Sequence, residues 1–134
     1  MADTFEIEIV TPEKLVVKDV AEEAQIPGKT GYLGILPGHA PLITELGVGE
    51  ITYRIGGMQK HVSVAWGFAE VLPNKLTILA ETAERPDEID VARAEKAKVR
   101  CEKELTSGAT DIDYDKVQAA LERAETRIEV AKKQ

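Results

Sequence analysis

Phe5, Ile7 and Ile9 alternate with Glu6 and Glu8, the period of two required of a strand with one buried face. Further short apolar runs follow at Leu15–Val17, Ile51–Ile55, His61–Val64 and Leu76–Leu79. Pro27-Gly28, Gly47-Val48-Gly49, Gly56-Gly57 and Pro73-Asn74 punctuate them. Eight to ten strands at this spacing predict a sandwich or flattened barrel, and the fold expected of residues 1–85 is an antiparallel β-sandwich of about ten strands. Gly56-Gly57 is the expected tight hairpin turn, since both residues tolerate positive φ.

From Pro86 onward the period becomes 3.6. Asp90 is placed to N-cap a helix, and Asp87 and Glu88 lie where acids favour the positive end of its dipole. The first helix is expected from about Val91 to Thr106. Ser107-Gly108-Ala109-Thr110 interrupts it, and Asp113 caps a second helix running from Tyr114 to near Lys132. Residues 86–134 thus predict an antiparallel two-helix hairpin, and the whole chain is expected to be α+β. The apolar stripes are thin: Ala94, Ala97, Cys101 and Leu105 on one helix, and Val117, Leu121, Ala124, Ile128 and Ala131 on the other. Alanine permits close approach but buries little area. At about 25 cal/mol per Å2 of apolar surface, the seam is expected to be marginally stable and the hairpin able to detach or extend.

Composition sharpens that division. Nine of the ten glycines and five of the six prolines lie before residue 86, and the remainder is rich in Ala, Glu, Lys and Arg. A length of 134 residues excludes most multidomain enzymes, and the net charge of -7 argues against non-specific nucleic-acid binding. Cys101, the single cysteine, supplies neither a disulfide nor a metal or redox motif, which fits a reducing compartment. The opening Met1-Ala2-Asp3-Thr4-Phe5 has no leader pattern, and no run approaches the ~20 apolar residues that span a bilayer. The chain is expected to be soluble, with room for docking on a membrane assembly.

No phosphate loop, GxGxxG or His-Glu-x-x-His motif is present, and no catalytic or metal-binding residue is assigned. His61 lies in a strand pattern and is read as structural, and Trp66 as core or strand end. His39 sits in a rigid loop, Gly34-Ile35-Leu36-Pro37-Gly38-His39-Ala40-Pro41, which is either a surface turn whose His caps a local carbonyl or a docking loop.

The informative cluster is in the hairpin. At about 100° per residue, Arg93 and Arg100 fall on one flank of the first helix's stripe, and Arg123 and Arg127 on the matching flank of the second. In an antiparallel pair those flanks face the same side, so all four guanidiniums are expected to emerge together. Planar, permanently charged forks suit a phosphate chain. The alternative is that these are solvated residues paired with Glu95, Glu102, Glu104, Glu122 or Glu125. Glu84 and Asp90, at the joint, are then simple caps; in a binding site they meet ribose or adenine polar edges.

The glycine-rich sandwich, the segment Gly31-Tyr32-Leu33-Gly34-Ile35-Leu36-Pro37-Gly38-His39-Ala40-Pro41-Leu42 and the helical opening Ile89-Asp90-Val91-Ala92-Arg93-Ala94 together resemble the epsilon subunit of F-type ATP synthase along the whole chain. Gly38 before His39 is similar to bacterial members. The resemblance implies a noncatalytic rotor subunit of the central stalk, serving the coupling of proton flow to ATP synthesis. It implies a sandwich bound to the gamma subunit and the c-ring, with the His39 loop as a candidate c-ring contact. It also implies a peripheral position on the cytoplasmic side of the cell membrane, and a mobile hairpin that inhibits ATP hydrolysis when extended among the catalytic alpha and beta subunits. The family's ATP-binding pattern is matched by Ile89, Asp90, Arg93 and Ala94, and carries over to Glu84, Arg100, Arg123 and Arg127. ATP is then the regulatory ligand, with no cofactor required and no Mg2+ needed. Two rivals remain: a free-standing ATP-binding sensor or adaptor of the same fold, and a small hydrolase using Glu84 or Asp90 as base, for which no nucleophile or metal cluster is apparent.

Overall fold

Seven strands precede two helices in the computed structural model, which describes residues 3–133. Met1, Ala2 and Gln134 lie outside the described residues, and with them the first two positions of the segment read for a leader. The strands are β1 Phe5–Val10, β2 Leu15–Ala21, β3 Glu23–Gly28, β4 Gly31–Ile35, β5 Leu42–Ile55, β6 Met58–Leu72 and β7 Lys75–Glu84. A short 3-10 turn, Pro86–Glu88, leads to α1 Val91–Thr106 and α2 Tyr114–Ala131. The strand order is β2-β1-β7-β6-β5-β3-β4. Every pairing is antiparallel except β1 with β7, where the first strand enters beside the last in the same direction.

The strand count differs from the expected ten because β5 and β6 are long continuous strands of 14 and 15 residues. Gly47-Val48-Gly49 lies inside β5 rather than between strands. The reason is close approach: a Cβ on Gly49 would stand 2.6 Å from the Tyr32 hydroxyl and 2.7 Å from Pro27 Cβ. The β3–β4 ribbon crosses there, so glycine marks a crossing and not a turn. Gly56-Gly57 is the tight hairpin turn, with φ of 54° and 80°, both positive as a two-residue hairpin closing Ile55 against Met58 demands.

Each long strand reverses its inward parity at one level. Leu46 is buried and then Gly49, Ile51 and Tyr53; Val62 and Val64 and then Ala69 and Val71; Leu76, Ile78 and Ala80 and then Ala83. Leu46 pairs with Gly67 and Gly67 with Ala80, so the reversal crosses the sheet as one line and lets a single sheet turn over on itself. Trp66 marks this line with a positive φ of 59°. It is half-buried in mid-strand, neither core nor strand end. Gly67 follows with φ 124°, and a Cβ there would stand inside the Leu79 carbonyl. The core enclosed is aliphatic, centred on Ile7, Ile9, Ile26, Leu46, Leu76 and Ile78.

The His39 loop is pinned by its own backbone, Gly38 N–H donating to Pro73 O at 2.7 Å. His39 Nδ1 lies 2.7 Å from Ala40 O, the local carbonyl contact anticipated for it.

Both helices begin as their caps direct. Asp90 accepts from Arg93 N–H at 3.1 Å and Asp113 from Lys116 N–H at 3.2 Å. Only Ala94 and Cys101 are buried in α1, against Ala124, Ile128 and Val130 in α2. Leu105, Val117 and Leu121 stay half-exposed. The helices pack antiparallel and α2 lies against β5 and β6, so the hairpin is folded onto the sandwich. At the joint, Lys14 from the β1–β2 turn donates to Glu88. The Lys14 ammonium, with the Arg85 backbone N–H, holds the Glu88 carboxyl below the ordinary 4.5.

Two outcomes follow. Gly67→Ala should lower stability in urea by at least about 3 kcal/mol, from combined backbone strain and overpacking. Gly34→Ala, at a position open to solvent, should change it by less than about 0.5 kcal/mol. A carboxyl depressed in the folded state contributes stability above its unfolded value and loses it on acidification. Lys14→Met should therefore flatten the fall in stability between about pH 5 and pH 3 in acid titrations followed by circular dichroism.

Candidate functional site

The first turn of α1 carries Arg93 directly over its Asp90 cap, and one face further along carries Ala97 and Arg100. On α2 the facing turns carry Ala120, Arg123, Ala124 and Arg127. With Ala94 and with Glu84 at the end of β7, these residues line a single cleft of about 270 Å3. All seven residues expected at the site (Glu84, Asp90, Arg93, Ala94, Arg100, Arg123 and Arg127) are brought together there. The floor depends on small side chains: four alanines let the helices approach while leaving a slot above the seam. Ala97, Ala120 and Ala124 are absent from the expected site; Ala97 and Ala124 are expected only in the seam, and the sequence signal for Ala120 is its position one turn before Ala124.

Four guanidiniums against two carboxylates leave the cleft with two net positive charges, in a chain that is otherwise acidic. Arg123 and Arg127 are half-buried, while Arg93 and Arg100 are exposed at the rim. Arg127 Nε donates to Glu84 Oε1 at 2.6 Å, so the sandwich reaches into the cleft by one ion pair. Asp90 Oδ1 is committed to the α1 cap. Among the described residues, Arg93, Arg100 and Arg123 have no carboxylate within 4.0 Å, and the alternative pairings with Glu95, Glu102, Glu104, Glu122 and Glu125 are not formed. Three forks therefore stand unneutralised around one slot, an arrangement suited to an anion with several oxygens. Among the described residues no group of His, Cys, Asp and Glu is placed to hold a metal, and no helix is long and apolar enough to cross a membrane.

Comparison with known proteins agrees along the chain. Residues 4–86 match the family model "ATP synthase, Delta/Epsilon chain, beta-sandwich domain", and residues 87–132 match "ATP synthase, Delta/Epsilon chain, long alpha-helix domain". The ATP synthase epsilon chain of Koribacter versatilis is 74% identical over 109 residues, covering 81% of this chain and 77% of that one. The epsilon chain of Solibacter usitatus is 46% identical over 133 residues, 99% of each. The fold is similar to a chain in the mitochondrial ATP synthase of Euglena gracilis, with a TM-score of 0.81 at 21% identity over 98% of this chain and 82% of that one. With both halves matched in sequence and full-length relatives well above one third identical, the chain belongs to the ATP synthase delta/epsilon family, as an epsilon subunit.

Proposed function

We propose that this stalk subunit carries ATP in the arginine cleft, and that the bound nucleotide holds the hairpin against the sandwich. The observation that carries the reading is the cleft itself: four guanidiniums converge on one slot only while α1, α2 and the end of β7 are together. The triphosphate would take Arg93, Arg100 and Arg123, which lack carboxylate partners, and would compete with Glu84 for Arg127. A ligand bound only by the closed form stabilises it by RT ln(1 + [L]/Kd), about 2.7 kcal/mol at ~100 Kd. Against a seam built largely of alanine, that shift is decisive. When ATP falls, the hairpin leaves the sandwich, and its basic face meets acidic surfaces of the catalytic alpha and beta subunits, curbing hydrolysis. On this reading the subunit is noncatalytic: Glu84 is held by Arg127, and Asp90 by the α1 terminus.

The sandwich supplies the attachment to the rotor. Phe68 and Leu79 are paired across β6 and β7 and are 53% and 57% exposed, with Ile43 on the neighbouring strand 70% exposed. Large apolar side chains clustered on an outward face mark a protein contact, and gamma is the partner this reading gives it. The His39 loop, pinned at the Pro73 end, would meet the c-ring, placing the chain peripherally on the cytoplasmic side of the membrane.

Isothermal titration should find ATP binding weakened about 10- to 100-fold by Arg93→Ala or Arg127→Ala, as for lost charge-assisted hydrogen bonds, with sandwich stability unchanged. Unchanged affinity in both would remove the cleft as the ATP site. Phe68→Asp should abolish co-purification with gamma while leaving ATP binding intact; retained co-purification would place the rotor contact elsewhere.

A further inference from the structure

Glu50, Ser63 and Glu84 are direct cross-strand partners on β5, β6 and β7, so their side chains form one row on one face of the sheet. The outer two stand two strand spacings apart, about 9.6 Å. Arg127 lies on α2 and Lys133 two residues past its end, six positions apart, a span of about 9 Å at helical rise. The two spacings match, and the ion pairs are made: Arg127 Nε to Glu84 Oε1 at 2.6 Å and Lys133 Nζ to Glu50 Oε2 at 2.8 Å. Halfway along the helix segment Val130 is 0% exposed, and halfway along the row Ser63 is 7% exposed. Arg127 precedes Val130 by three residues and Lys133 follows it by three, the Lys133 backbone N–H donating to Val130 O at 2.9 Å, so one apolar side chain is flanked by two cations.

Glu50 is also gripped from behind. His61 Nδ1, on β6, lies 3.0 Å from Glu50 Oε1, and Tyr32 Oη accepts the Glu50 backbone N–H at 3.2 Å. The Glu50 and His61 side chains are both largely covered, unlike most ion-paired groups of this surface. Glu50 does not line the arginine cleft; it lines a separate depression with Lys133.

We infer that the Glu50 to Lys133 pair, with His61 positioning the carboxylate, is a latch that holds the end of α2 on the sandwich without any nucleotide. It rests on the proposed opening and closing of the hairpin, and it sets the closed population on which ATP then acts. Of the two ion pairs that clamp α2, Arg127 to Glu84 is the one a triphosphate would compete with, and Lys133 to Glu50 is the one it leaves in place.

Native-state hydrogen exchange on the full chain without nucleotide tests the latch. In Lys133→Met and Glu50→Gln, the amides of the last two turns of α2 should exchange about two- to five-fold faster, the range of a partly exposed ion pair. Amides of β6 and β7 should be unchanged, and the swap combining Glu50→Lys with Lys133→Glu should restore protection. Wild-type exchange rates in Lys133→Met, whose substitution at an exposed end leaves the fold intact, would overturn the proposal. ATP titrated into the wild type reads the cleft separately. Absence of ATP binding with faster exchange in the variants would sink the nucleotide reading and keep the latch. ATP binding with unmoved exchange would do the reverse.

Discussion

Four arginines drawn into one slot repel one another, and that repulsion is the constraint around which the hairpin is built. Asp90 and Glu84 offset half of it, the first at a helix terminus and the second through Arg127. What opposes the remainder is a thin apolar layer, Ala94 and Cys101 of α1 with Ala124, Ile128 and Val130 of α2, in which the small side chains contribute little at ~0.8 kcal/mol per buried methylene. On the proposed reading, a closed hairpin of this kind sits near balance. In the proposed function, an anion entering the slot would offset this repulsion, and a small ligand would thereby govern a large movement.

The sandwich participates in that balance through its geometry. The parity reversal at the level of Gly47, Trp66 and Glu81 turns β5, β6 and β7 over. Beyond it Val62 and Val64 face the aliphatic core while Ser63 lies on the opposite face, in the row beneath α2. The same bend that closes the core therefore presents Glu50 and Glu84 at a spacing that fits two turns of helix. Below the bend, the outward parity is apolar at Phe68 and Leu79. One irregular line across three strands thus separates the face that carries the hairpin from an outward apolar face.

The chain's polar groups tie its elements to one another. Asp90 and Asp113 cap helices, Glu84 pairs with Arg127, His61 lies against Glu50, and His39 meets the Ala40 carbonyl. The Tyr53 hydroxyl, pushed up by burial and by its bond to Asp19, ties β5 to β2 in the same manner. The longer-range contacts among these fix the position of one element against another.

Much of this was legible in the residues alone. Helix ends follow from Asp90 and Asp113, because a cap is a local hydrogen bond; the Gly56-Gly57 turn follows from backbone freedom; and the convergence of Arg93, Arg100, Arg123 and Arg127 follows from helix periodicity and antiparallel pairing. These are short-range rules, and the sequence states them directly. The number of strands was not legible, since Gly47 and Gly49 resemble turn residues until the β3–β4 ribbon is seen crossing them. Nor were Val130, Glu50 and Lys133, which meet the sheet rather than the partner helix. Their roles arise from which faces the bent sheet and α2 turn toward each other, and that depends on contacts between residues up to 83 positions apart, a distance over which no local periodicity carries information.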